Sequence, residues 1–168
     1  MCLSEYGRCH HRTRSHLWDI DIEAARGRAC AALAHRDDVT DVDFYGTSSG
    51  TVAAVATVAG RSILGEGDDE GAATSAMVRA VETRFAEELR QAENLVAAVL
   101  PKARIEIIVS PRPARPAPGR LPQISAPYTA VLVVDGYQIF GSPAFVVDAA
   151  ARSAILAAQA IVEPSVAA

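Results

Sequence analysis

The chain has 168 residues, half of them apolar but only 5% aromatic, with 16 Lys and Arg against 20 Asp and Glu for a net charge of −4. That length and apolar content suffice for one packed domain. The negative balance argues against nucleic acid or anionic membrane as a partner, and no apolar run reaches the roughly 18 to 20 residues of a membrane span.

Residues 1–18, MCLSEYGRCHHRTRSHLW, are polar and basic, without periodicity and without the apolar centre of a secretory signal. They read as a flexible leader. Cys2, Cys9, His10, His11 and His16 lie in it, but not as the two spaced pairs of a structural zinc site. With Cys30 the only other cysteine there is no disulfide framework, so a cytoplasmic protein is expected.

Residues 20–35 fit a short helix, with Ile22, Ala25, Ala29, Ala32 and Leu33 on one face. His35 then stands near the last carbonyls, and Cys30 reads as a small buried hydrophobe. A strand follows at about 41–46, then turn chemistry in Thr47-Ser48-Ser49-Gly50. Two strands at about 51–59 and 61–66 are hinged at Gly60. From Ala72 to about Val99 the period becomes helical, with Met77, Val81, Phe85, Leu89, Ala92, Val96 and Val99 three and four apart. Residues 103–110 form a strand, and the proline-rich segment 111–127 a loop. Another strand pair is hinged at Asp135-Gly136. Ser142-Pro143 supplies an N-cap and a first-turn proline for a final helix reaching about Val162.

The order is α, then βββα (about 39–100), then βββα (about 103–163), which invites a search for an internal repeat. At a spacing of 76, Ala54 meets Ala130, Val55 meets Val131, Val58 meets Val134 and Gly60 meets Gly136. Ile63 meets Ile139, Leu64 meets Phe140, Gly65 meets Gly141 and Ala73 meets Ala149. The expected fold is therefore α+β: two βββα units sharing a core, preceded by a short helix, forming a single domain over 19–168. The seam between the units is the natural place for a small ligand.

The stretch VAGRSILGEGDDEGAATSAMVRAVE resembles the strand, glycine and helix segment of the C-terminal regulatory domain of 2-isopropylmalate and citramalate synthases. VLVVDGYQIFGSPAFVVDAAARSAILAAQ is similar to that domain's second half. The likeness spans about residues 39–163. It implies a non-catalytic domain that dimerises, senses a branched-chain amino acid such as leucine between its two units, and acts in trans on a synthase-like partner. By position it implies ligand contacts at Gly65, Gly67, Gly71 and Ala72, near Val109 and Ser110, and at Gly141, Ser142 and Ala144. The chain departs from the family pattern in having Asp69-Glu70 where a glycine-proline usually enters the helix.

The acids Asp68, Asp69 and Glu70 admit two readings. Asp68 could take part in holding a ligand's ammonium, or one of the acids caps the helix and complements its dipole, which is the plainer reading. Two further functions compete. One is an interaction module with a closed pocket. The other is a double-stranded RNA-binding domain, because residues 20–99 also read α-β-β-β-α. Such domains place cations at the start of the last helix, where this chain places acids. No nucleophile with a base, no phosphate loop and no metal-ligand set stands out, so no catalytic role and no cofactor are expected.

Overall fold

A computed structural model describes residues 21–110 and 126–162. The leader and most of the proline-rich loop, including the Cys and His cluster, lie outside these residues. In chain order the elements are α1 (Ile22–Ala32), β1 (Val39–Gly46), β2 (Val52–Val58), β3 (Arg61–Gly67), α2 (Glu70–Val99), β4 (Arg104–Val109), β5 (Tyr128–Val134), β6 (Tyr137–Phe140) and α3 (Val147–Val162). The strands form two three-stranded antiparallel sheets, β1-β2-β3 and β4-β5-β6. The fold is thus α+β, two βββα units behind a short helix.

Alternation sets each sheet's inner face. Val42 and Phe44 on β1, Ala54, Ala56 and Val58 on β2, and Ile63 on β3 all point to the first core with Met77 and Val81 of α2. Tyr128, Ala130 and Leu132 of β5 do the same in the second, against Val147, Ala150, Ala151 and Ala154 of α3. The core is thus two clusters. One helix serves both, because α2 contributes Ala73, Met77 and Val81 to the first and Ala92 and Val96 to the second.

The repeat appears in the backbone. β2 and β5 lie 76 residues apart at both ends, as do the first residues of β3 and β6. Both hairpins turn on a residue pair with positive φ, Ala59 (49°) and Gly60 (79°) in one, Asp135 (49°) and Gly136 (83°) in the other. That geometry suits the right-handed twist of two-residue hairpins. Asp41 pairs with Thr57 and Arg104 with Val133, so β1 and β4 correspond at a spacing of 63. The same spacing of 63 places Ala29 on Ala92 and Leu33 on Val96, all four buried. The second half of α2 therefore packs beside β4 as α1 packs beside β1. The length of α2, 30 residues against 16 for α3, is explained by this double duty.

Two expectations need correction. The last helix begins at Val147, not at Ser142-Pro143, because Ala144 both donates to the Tyr128 carbonyl (2.8 Å) and accepts from its amide (3.1 Å). A residue held in that bridge cannot open a helix. The helical counterpart of Ala73 is accordingly Ala150 rather than Ala149: Gly65 packs on Ala73 and Met77, Gly141 on Ala150 and Ala154.

Candidate functional site

The residues singled out from the sequence fall into two groups. Gly65, Gly67, Asp68, Gly71 and Ala72 form the junction of β3 and α2. A Cβ on Gly65 would sit 2.0 Å from the Met77 amide nitrogen, and one on Gly67 2.5 Å from that of Ala73. These two glycines let the strand lie directly on the helix backbone, leaving no hollow above them. Asp69 is the cap, its carboxylate accepting from the Ala72 amide at 2.7 Å, while Asp68 is exposed. Ser75 donates to the Gly71 carbonyl at 2.8 Å, as a mid-helix serine does.

The second group gathers around the start of β5. Val109 pairs with Tyr128, the Ser110 amide donates to the Pro127 carbonyl at 2.7 Å, and Ala144 bridges Tyr128 from its other side. Gly141 repeats the packing of Gly65, with its absent Cβ 2.7 Å from the Ala154 amide nitrogen, and the Ser142 amide donates to Ser153 Oγ at 2.7 Å. No hydrogen bond among the described residues joins the two groups. The first lies at the N-terminal end of α2, about 20 Å along the helix from Phe85 at its middle.

The seam itself is built by residues the sequence reading passed over. The loop after α1 turns Arg36 and Asp38 inward, and both are buried, at 9% and 2% exposure. Arg36 grips Asp38 with two parallel hydrogen bonds, Nε to Oδ1 at 2.9 Å and Nη2 to Oδ2 at 2.7 Å. Tyr128, from the second sheet, donates its hydroxyl to Asp38 Oδ2 at 2.5 Å. The Arg36 guanidinium lies 4.2 Å from the centre of the Phe85 ring, which in turn packs 6.2 Å from the Tyr128 ring. Around the rim, Arg36 approaches Glu82 at 3.6 Å, while Arg61 and Arg84 both reach Glu88, at 3.0 and 3.1 Å. His35 turns to Glu82 Oε1 at 3.0 Å rather than to the end of α1.

The electrostatics hold this cluster in one state. Burial pushes the Asp38 carboxyl up, but the hydrogen bonds from Arg36 and Tyr128 outweigh it and hold the group below its ordinary range. Burial, then the bond to the Asp38 carboxylate, pushes the Tyr128 phenol well above its ordinary value. Burial works against the Arg36 charge, but Asp38 restores it. At neutral pH the set is a charged pair with a neutral phenol, suited to clamping rather than to moving protons. The cleft bordered by these side chains encloses only about 10 Å³, room for about one water.

A signal for this cluster did exist in the sequence, in the places where the repeat fails. Tyr128 stands where the first unit has Val52, and Arg36 and Asp38 stand where the second has Val99 and Pro101. A duplicated fold that departs from its own pattern at a seam marks the residues joining the copies. Among the described residues, no group of three or more His, Cys, Asp or Glu side chains is placed to hold a metal ion, and no helix is long and apolar enough to cross a membrane.

No protein-family model matches the chain, and no curated protein matches it.

Proposed function

We propose that this chain is a non-catalytic, cytoplasmic regulatory and assembly domain of the kind it resembles, that of the 2-isopropylmalate and citramalate synthases. In this reading it pairs with a second copy and acts in trans on a synthase-like partner. The observation that carries the reading is the duplicated strand, glycine and helix geometry, in which Gly65 and Gly141 each seat a helix backbone at the same step of the two units. A branched-chain amino acid is the ligand class the resemblance implies. Among the described residues the seam cleft holds only about 10 Å³, so such a ligand needs the seam opened or a second chain to complete its site. The same small seam favours a second reading, an interaction module that works without a ligand.

A thermal-shift panel separates them, using leucine, isoleucine, valine, their 2-oxo acids and a short RNA duplex. A ligand specific to the folded state adds about 2.7 kcal/mol at a hundredfold excess over its dissociation constant. For a chain of this size that is about 5–10 °C. A shift with one branched-chain compound is the expected result for the sensor. Silence from every small molecule leaves the interaction module, and a shift with RNA alone overturns both.

A further inference from the structure

The directions of the elements give each unit two ends. In the first unit β2 begins at Val52, where β1 and β3 finish at Gly46 and Gly67 and α2 opens at Glu70; this is its leading end. Its trailing end is the seam, where β2 stops at Val58, β3 starts at Arg61 and α2 passes on toward the second unit. The second unit repeats the arrangement. Tyr128 begins β5 at the seam, and the trailing end gathers the end of α2 at Val99, the start of β6 at Tyr137 and the end of α3 at Val162. Three arginines border the seam, Arg36, Arg61 and Arg84. The repeat spacings, 63 for the first, 76 for the second and 77 for the helix (Ala73 to Ala150), carry them to Val99, Tyr137 and Ile161. Those three are 41%, 76% and 61% exposed. One exposed apolar side chain needs no explanation, but three at the positions where the first unit meets its neighbour do.

We propose that this trailing end docks the leading end of a second copy, so that the chain associates head to tail and continues its own repeat from molecule to molecule; this rests on the assembly reading above and names its surface. Continuity is the first argument for that occupant. Within the chain, the trailing end of the first unit already abuts the leading end of the second, with the Tyr128 hydroxyl donating across the seam to Asp38. The trailing end of the second unit meets no third unit among the described residues. The two free ends lie at opposite ends of α2, whose 30 residues span about 45 Å, so neither blocks the other. A contact between unlike ends is heterologous and leaves a free end of each kind for the next copy.

Charge is the second argument, and it selects head to tail over a twofold pair. Because α1 runs toward Arg36 at the seam, its first residues lie at the leading end. That end exposes Asp21, Glu23, Glu66, Asp68 and Asp69, and Arg26, a turn further along α1, is already ion-paired with Glu23 and Asp43. The trailing end exposes Lys102 and Arg104 beside the apolar three, against the acid Asp135. A twofold pairing of trailing ends would oppose these cations to their own copies, whereas a head-to-tail contact sets them against the acids. An end made of three strands about 4.8 Å apart and a helix layer measures roughly 15 Å by 20 Å, or about 300 Å². That is well below the about 800 Å² per partner of a stable interface, so the contact is weak and reversible.

Sedimentation velocity of the full chain from about 10 to about 500 µM tests this. The expected result is association that grows with concentration and recedes in about 0.5 M salt, where exposed charges are screened. Tyr137→Glu spoils the trailing end, and the double change Glu66→Lys and Asp68→Lys reverses the leading end. Each variant should weaken association at least about tenfold, with its circular-dichroism spectrum unchanged. Mixing the two should restore a one-to-one dimer and nothing larger, because each variant keeps the end the other lacks, and no misfolded variant would give that recovery. Association lost in Tyr137→Glu but kept in the leading-end variant means that trailing ends meet each other, and overturns the head-to-tail contact. Association that survives Tyr137→Glu, or that mixing fails to restore, overturns the surface while the assembly reading stands. A monomer at every concentration overturns both.

Discussion

At the scale of single residues, Tyr128 has the most to lose. Its hydroxyl is the described hydrogen bond running from the second sheet to the buried Arg36–Asp38 pair. Tyr128→Phe keeps the ring against Phe85 and removes only that donor, leaving a buried carboxylate short of one partner. The expected cost is about 1–3 kcal/mol in chemical denaturation. Asp38→Ala should cost more, about 3–5 kcal/mol, because Arg36 would be buried without its counter-charge. The pH dependence follows from the signs. Asp38 titrates lower when folded, so its contribution is present above about pH 3.9 and is lost as pH falls below that. Tyr128 titrates higher when folded, so its contribution is present below about pH 10 and is lost as pH rises beyond it. Melting temperature measured against pH should fall at both ends in the native chain, and Tyr128→Phe should flatten the alkaline end.

At the scale of elements, periodicity carried most of the information. The 3.6 period from Met77 to Val99 and the hairpins at Gly60 and Asp135-Gly136 follow from local chemistry, and the structure has them within one or two residues. The start of α3 did not, because Ser142-Pro143 is good capping chemistry locally. A pairing with Tyr128, 16 residues upstream of Ala144, takes the backbone groups a helix would need. The seam was hidden for a related reason: in the linear sequence Arg36 and Asp38 look like ordinary surface charges, and only the return of Tyr128 from 90 residues away buries them. Glycines were conspicuous, but their purpose was not, since a glycine seating a helix and one cradling a ligand look alike in sequence. Substitution separates the two. Gly65→Ala places a carbon against the Met77 backbone and should cost at least about 1–3 kcal/mol, whereas Gly71→Ala, with only Asp69 Oδ1 at 3.3 Å, should be nearly neutral or mildly stabilising. Urea denaturation of the two variants gives the comparison.

At the scale of the whole molecule, α2 makes two small cores behave as one. Neither cluster is complete without its half of that helix, and the clamp at the seam sits beside the helix midpoint. Glu87 is exposed just past that midpoint, so Glu87→Pro breaks the helix between the halves at a cost of about 3 kcal/mol or more without touching either cluster. Calorimetry should show the single transition of the native chain splitting into two, and a single, merely lower transition would assign the coupling to the clamp instead. The shared helix also sets an order of birth. The first cluster is complete once Val81 has been made, while α3 ends at Val162, 81 residues later. At about 5–20 residues per second, that interval is roughly 4–16 s on the ribosome. Domains of this size fold within milliseconds to seconds. The first unit is therefore folded while the second is still being synthesised, and the projecting half of α2, with Ala92 and Val96 bare, is the template on which the second unit assembles as it emerges.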